Sequence, residues 1–181
     1  MARTDTKTAI LEAAGRVVLA RSVAGLTLEA VAAETKLSKG GLLYHFATKQ
    51  ALLAAMVDRL VEVTEQRIEA HRGHDTSRGN WVRGYLEACA LDDAAENDPT
   101  SRLAVALLAA GATEPELIAS LRARQDHWHE MLSHDGIDPV LALIVRLAAD
   151  GLWMNDIFGI PVLAAGERRD VLERLRSLTR D

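Results

Sequence analysis

Thr27-Leu-Glu-Ala-Val-Ala-Ala-Glu-Thr-Lys-Leu-Ser-Lys-Gly-Gly-Leu-Leu-Tyr-His-Phe-Ala-Thr-Lys49 decides how the chain is read. It holds two short helical patterns, each opened by a hydroxyl residue, with a tight turn between them. Thr27 suits the N-cap of a helix over about 28–35, and Ser38 that of a helix over about 39–45, because each side-chain oxygen can accept from an orphan backbone amide. Glu29 falls in the first turn of the former, where a negative charge meets the positive end of the helix dipole. Val31, Leu37, Leu42 and Phe46 form a small apolar set that would hold the helices together. Lys39, Gly40, Gly41, Tyr44 and His45 fall outside it. This is the pattern of a helix-turn-helix that presents one short helix to the major groove of DNA.

The residue types fit that use. A glycine pair inside a short helix costs about 1 kcal/mol per residue against alanine, so close approach of the backbone to another body is the better account of Gly40 and Gly41. Base edges are reached only past small side chains. A helix N-terminus favours phosphate, and Lys39 and Lys49 place cations at both ends of the segment. Tyr44 and His45 can donate to phosphate, and Tyr44 can also pack on a thymine methyl. A half-buried packing role is the lesser alternative for Tyr44, and a plain surface histidine that for His45. Ser38 and Thr48 are good caps whatever the function.

Outside this stretch the pattern is helical throughout, with no sustained alternation that would argue for a strand. Helices are expected over about 4–21, 49–72, 79–96, 100–110, 115–132, 139–158 and 167–179, making about nine in all. Thr48 opens the long fourth helix and Arg72-Gly73 closes it. Asn97-Asp-Pro99 is read as the end of the fifth helix, since proline disfavours helix before it. Gly111 is read as the end of the sixth. Pro115 and Pro139 fit first-turn positions, and Asp138 caps the eighth helix. The expectation is an all-α fold: a three-helix DNA-binding head over residues 1–50 and a helical bundle over 51–181.

Net charge is -5 over 181 residues, which looks wrong for a DNA binder until it is divided. Residues 1–50 carry Arg3, Lys7, Arg16, Arg21, Lys36, Lys39 and Lys49 against Asp5, Glu12, Glu29 and Glu34. A basic head on an acidic body is the asymmetry expected when one end meets phosphate. No apolar run approaches the ~20 residues that cross a bilayer, and no apolar signal region follows Met1. A lone Cys89 cannot close an intrachain disulfide, so a reducing cytoplasm is expected.

The head resembles the N-terminal domain of the tetracycline-repressor (TetR) family. The match runs over about residues 5–55 and is carried by Gly25-Leu-Thr-Leu-Glu-Ala-Val-Ala and by Leu37-Ser-Lys-Gly-Gly-Leu-Leu-Tyr-His-Phe-Ala-Thr-Lys-Gln-Ala-Leu-Leu53. The resemblance implies a dimeric, all-helical transcriptional regulator, usually a repressor released from a palindromic operator by a small ligand, with residues 51–181 as its ligand-binding and dimerisation domain. It carries DNA contact onto Thr27, Lys39, Gly40, Gly41, Tyr44, His45 and Lys49. Two positions depart from the family pattern. Lys36 stands in the turn where glycine is usual, so it must tolerate a left-handed conformation or the turn must be reshaped. Leu43 stands where tyrosine is frequent, so that phosphate contact is missing or moves to Tyr44.

Most of the chain's aromatics lie in the body. Trp81, Tyr85 and Cys89 repeat at i, i+4, i+8, Trp128 comes late in the seventh helix, and Trp153 late in the eighth. With Leu107 they are the candidate walls of a cavity for an apolar or aromatic effector, although ordinary core packing explains any one of them about as well. Leu143, Leu147, Gly151, Met154 and Phe158 make an apolar stripe on the eighth helix. That helix is apolar on a second side too, so it needs cover on both. With Leu172 and Leu175 of the ninth helix the stripe is the candidate interface of a homodimer. Asp150 and Asp156 interrupt it. Facing solvent or capping a neighbour is the plainer reading of each, and contact with a ligand or partner subunit the sharper one. No cofactor or metal is expected: the histidines lack ligand spacing, and no His-Glu-x-x-His, Cys-x-x-Cys or phosphate-cradling loop occurs. An enzyme is therefore disfavoured. A helical interaction module that has lost DNA binding is the remaining rival.

Overall fold

A computed structural model describes residues 3–90, 99–160 and 162–180. Nine α-helices occur among them and no strand. They are α1 (Arg3–Arg21), α2 (Leu28–Thr35), α3 (Lys39–His45), α4 (Lys49–Arg72), α5 (Asn80–Cys89), α6 (Pro99–Thr113), α7 (Ala119–Ser133), α8 (Pro139–Phe158) and α9 (Ala165–Leu178). Where local chemistry sets a boundary, the capping side chains explain it. Thr27 Oγ1 accepts from Ala30 N at 3.1 Å, Ser38 Oγ from Gly41 N at 3.1 Å, Thr48 Oγ1 from Ala51 N at 3.0 Å and Asp138 Oδ1 from Leu141 N at 2.8 Å. Each satisfies one amide that the first helical turn leaves without a partner.

Three expectations are corrected. The fifth helix ends at Cys89, not near residue 96: Ala90 has already left helical geometry at ψ 82°. Asn97 and Asp98 lie outside the described residues, and Pro99 is the first residue of α6 rather than a terminator, a position where its missing amide hydrogen costs nothing. Gly111 does not end α6, which runs on to Thr113. A Cβ at Gly111 would stand 2.5 Å from Ile118 Cγ2, so this glycine serves close packing against the next turn. That turn, Pro115–Ile118, is a single 3-10 turn preceding α7.

The chain divides into two compact units, residues 1–60 with 99–122, and residues 61–98 with 123–181. The expected split after residue 50 differs from this division. In the first unit α1 packs on α2 and on α6, and α2 on α3. Its core holds Ile10, Val31, Leu42, Phe46 and Leu53 together with Leu107 of α6 and Leu117 of the 3-10 turn. Residues far along the chain therefore complete the head.

In the second unit α5 packs against α8. The N-cap position of α5 is Gly79, which has no side chain to offer, and Asp135 caps the helix from a distance: its Oδ1 accepts from Trp81 N at 3.0 Å and its Oδ2 from Val82 N at 2.8 Å. An Asp135→Ala protein would leave both amides without partners. It is expected to lose about 2 kcal/mol, read as a lower thermal midpoint with α5 exchanging amide hydrogens faster than α8.

Candidate nucleic-acid interface and effector cleft

The turn between α2 and α3 is built around Lys36, which adopts the left-handed conformation at φ 57°, ψ 24°. The turn keeps its shape at a cost of about 1–2 kcal/mol for a side chain in that region. Its amide donates to Ala33 O at 3.3 Å and the Leu37 amide to Ala32 O at 3.1 Å, closing α2. Leu42 is the buried residue of α3, and Phe46 is buried just after it. The helix is therefore fastened by one face, and Lys39, Gly40, Leu43 and Tyr44 are exposed on the rest.

Tyr44 is 76% exposed, which removes the packing reading for it. Its ring meets His45 edge-on at 5.3 Å between centroids, and His45 is half-buried. No atom lies within 4 Å of where a Cβ on Gly40 would stand, whereas one on Gly41 would lie 3.2 Å from Ser38 Oγ. Gly40 thus leaves an open surface and Gly41 makes room for the cap. Thr27 Oγ1 accepts from the Ala30 amide.

Both candidate lysines hold partners in the free protein. Lys39 Nζ lies 2.7 Å from Glu29 Oε1. That bond holds the Glu29 carboxyl below, and the Lys39 ammonium above, their ordinary values. Lys49 Nζ donates to Ala24 O at 3.1 Å, tying the start of α4 to the loop before α2. Neither contact was legible from spacing, since the partners are ten and twenty-five positions away in sequence.

In the second unit Trp81 stacks on Tyr85 with centroids 5.5 Å apart, and Tyr85 meets Trp128 edge-on at 5.8 Å. The cluster closes around a residue the sequence did not single out. Arg146 is 8% exposed, and its guanidinium lies 5.5 Å from the Tyr85 ring and 5.8 Å from the Trp128 ring. It donates to Gln125 Oε1 and stands 3.8 Å from Asp150 Oδ2. The Tyr85 hydroxyl donates to Asp150 Oδ1 at 2.5 Å. Asp150 is thus held inside its own chain, and the i, i+4 spacing of Arg146 and Asp150 on α8 was the available signal. Burial raises the Asp150 carboxyl and the Tyr85 hydroxyl, and it pushes the Cys89 thiol up to about 12. A thiol so placed stays protonated and inert.

Trp81 and Trp128 also reach an open cleft of about 250 Å³ bounded by Glu65, Ile68, Arg124 and Met131. Trp128 Nε1 donates to Glu65 Oε1 at 3.2 Å, and Arg124 pairs with the same oxygen at 3.1 Å. Tyr85 and Cys89 are buried beside Trp81 on α5 and are not on the cleft wall. Trp153 is half-buried on α8 and is not on it either. Leu107, expected with them, lies at 0% exposure in the core of the first unit. On α8, Leu147 is 69% exposed, Met154 and Phe158 are exposed, Gly151 has open space at its Cβ and Leu143 is half-buried. On α9, Leu172 is half-buried and Leu175 is buried within its own chain. Asp156 pairs with Arg168 at 2.8 Å. No helix among the described residues is long and apolar enough to cross a membrane.

An all-helical chain whose helix-turn-helix is fastened by one face and open on the other belongs to the class of DNA-binding regulators. Residues 10–56 match the family profile of bacterial regulatory proteins of the tetR family, and residues 79–180 match that of the tetracyclin repressor-like C-terminal domain. The chain belongs to the TetR family of transcriptional regulators. It is similar to a TetR-family member from Streptomyces coelicolor A3, at 27% identity and TM-score 0.65 over 93% of this chain and 96% of that one. It is also similar to the multidrug binding protein EbrR, solved in complex with imidazole, at 26% identity and TM-score 0.63 over 93% of each chain. A transcriptional regulator from Rhodococcus sp. Rha1 shares the fold, at 19% identity and TM-score 0.73 over 96% of this chain and 95% of that one. No curated protein matches the chain.

Proposed function

We propose that this regulator works in the cytoplasm as a homodimer, binds a palindromic operator through α3, and is released by a small apolar or aromatic effector. The observation that carries the operator contact is the open face of α3, where Gly40 leaves bare backbone beside an exposed Tyr44. Phosphate contacts fall to Thr27, Lys39, Tyr44, His45 and Lys49, and base edges are approached over Gly40 and Gly41. A dimer suits such a head, since two α3 helices ~34–36 Å apart enter successive major grooves. The exposed apolar residues of α8, Leu147, Met154 and Phe158, support that association, because a stripe of large apolar side chains is costly to leave in water. For the effector, the cleft walled by Trp81 and Trp128 has a partly aromatic lining with a few charged groups, as a small-molecule site has, and its volume of about 250 Å³ suits a small ligand only. EbrR, similar over most of its length, was solved with imidazole and with malachite green.

The test is a mobility-shift titration of the full chain with a duplex from upstream of its own gene, repeated over a salt series. Log affinity is expected to fall linearly with log salt, by about 0.9 for each phosphate neutralised. An absence of binding even in dilute buffer rejects the operator reading. A monomeric mass in sedimentation at micromolar concentration rejects the dimer.

A further inference from the structure

Among the described residues, Glu29 is the one acidic residue set against a cation of the proposed DNA surface: its Oε1 lies 2.7 Å from Lys39 Nζ, with side chains 63% and 65% exposed. Glu29 already serves α2 as a first-turn charge against the helix dipole, but an ion pair this open to water adds little to stability, so the fold gives no reason for the pairing with Lys39. Its position does. Glu29 follows Thr27 by two residues and Lys39 immediately precedes Gly40, so the pair lies among the residues assigned to the duplex. A second exposed pair of the same unit, Arg16 Nε to Glu34 Oε1 at 2.8 Å, joins two residues outside that set.

We propose that Glu29 limits the DNA affinity of the head by occupying Lys39 as an internal substitute for a phosphate, a contact that must open when the duplex docks. The inference rests on the operator reading above. Two effects follow. A lysine already neutralised by a carboxylate brings no net charge to the duplex, so the head releases about one counterion fewer than its basic residues suggest. The displaced carboxylate then stands close to the polyanion and repels it, most strongly at low salt, where screening extends over tens of ångströms. Together they keep binding to arbitrary sequence weak, leaving more of the affinity to contacts made over Gly40 and Gly41, which can discriminate bases.

The experiment measures fluorescence anisotropy of a labelled duplex of arbitrary sequence with the full chain, over a salt series. Glu29→Gln removes the charge and keeps the shape. It is expected to bind about threefold or more tighter at low salt, with a salt slope steeper by about 0.9 per head and a melting temperature lowered only slightly, by the loss of a first-turn charge from α2. Glu34→Gln removes the same charge from the same unit without touching Lys39 and is expected to have a clearly smaller effect. Lys39→Ala is expected to cost more in the Glu29→Gln background than in the wild type. The proposal is overturned if Glu29→Gln binds no better than wild type, if Glu34→Gln matches it, or if the cost of Lys39→Ala is the same in both backgrounds. Weaker binding by Glu29→Gln confined to duplexes with one particular base pair would instead make Glu29 a reader of cytosine and would also overturn it. If the wild type ignores duplex at every salt concentration, the operator reading fails and takes this inference with it. A binding wild type with an indifferent Glu29→Gln sinks this inference alone.

Discussion

A Gly40→Leu protein is expected to fold at least as well as the wild type and to lose operator affinity by about a hundredfold. The two halves of that expectation have separate causes. No atom lies within 4 Å of a Cβ at this position, so a side chain meets nothing inside the chain. Leucine also favours helix over glycine by about 0.8 kcal/mol, which would raise the thermal midpoint slightly. The same side chain would project from the open face of α3, in the first turn, beside an exposed Tyr44. A helix held off the groove floor loses its base contacts and strains its phosphate contacts together. A loss of about 3 kcal/mol, equivalent to a hundredfold in affinity, is the size expected from a few such contacts. Gly41 is the less decisive site, because a Cβ there crowds the Ser38 cap at 3.2 Å and would confuse folding with binding. Melting curves and duplex titrations on one Gly40→Leu preparation suffice. Wild-type affinity in that protein would mean that the start of α3 does not enter the groove, and the base-contact assignment would move elsewhere on the head.

Local and distant causes separate what the sequence discloses from what it hides. The starts of α2, α3 and α8 could be read because a single side chain a few positions from its target amide sets each one: Thr27, Ser38 and Asp138. The left-handed Lys36 is one of the two alternatives that the resemblance left open, since glycine is usual at that turn and only the structure shows that lysine keeps its conformation. The early end of α5 could not be read, since Ala90 carries no terminating signal and the cap at the other end of that helix comes from Asp135, more than fifty positions later. Gly111 was misread for a related reason. Glycine marks both helix ends and close packing, and only the position of Ile118 distinguishes the two. At the interface the exposed residue types were legible in α3 itself, but the partners of Lys39 and Lys49 were not. In the body the aromatics drew attention and Arg146 did not, because an arginine on an apolar helix declares its role only once Tyr85, Trp128 and Asp150 surround it.

Leu107 gives the sharpest test of how far the head extends along the chain. As a wall of an effector cavity it would be partly open, and its truncation would alter ligand binding while sparing stability. The structure instead buries it completely, in one cluster with Ile10, Val31, Leu42 and Phe46, on a helix that packs against α1. Gly15 of α1 allows that approach: a Cβ there would meet Leu103 of α6 at 3.3 Å. Leu107→Ala would therefore open a cavity in the core that also anchors α3 through Leu42. The expected loss is about 3–5 kcal/mol, a large share of the stability of a unit this size. Chemical denaturation should show it as a lower midpoint with the slope little changed. Duplex binding should fail at temperatures where the wild type still binds and recover on cooling, because the residues proposed to contact DNA are untouched. Near-wild-type stability in Leu107→Ala would mean that α6 is not part of the head's core, and a head ending within α4 would then suffice to fold.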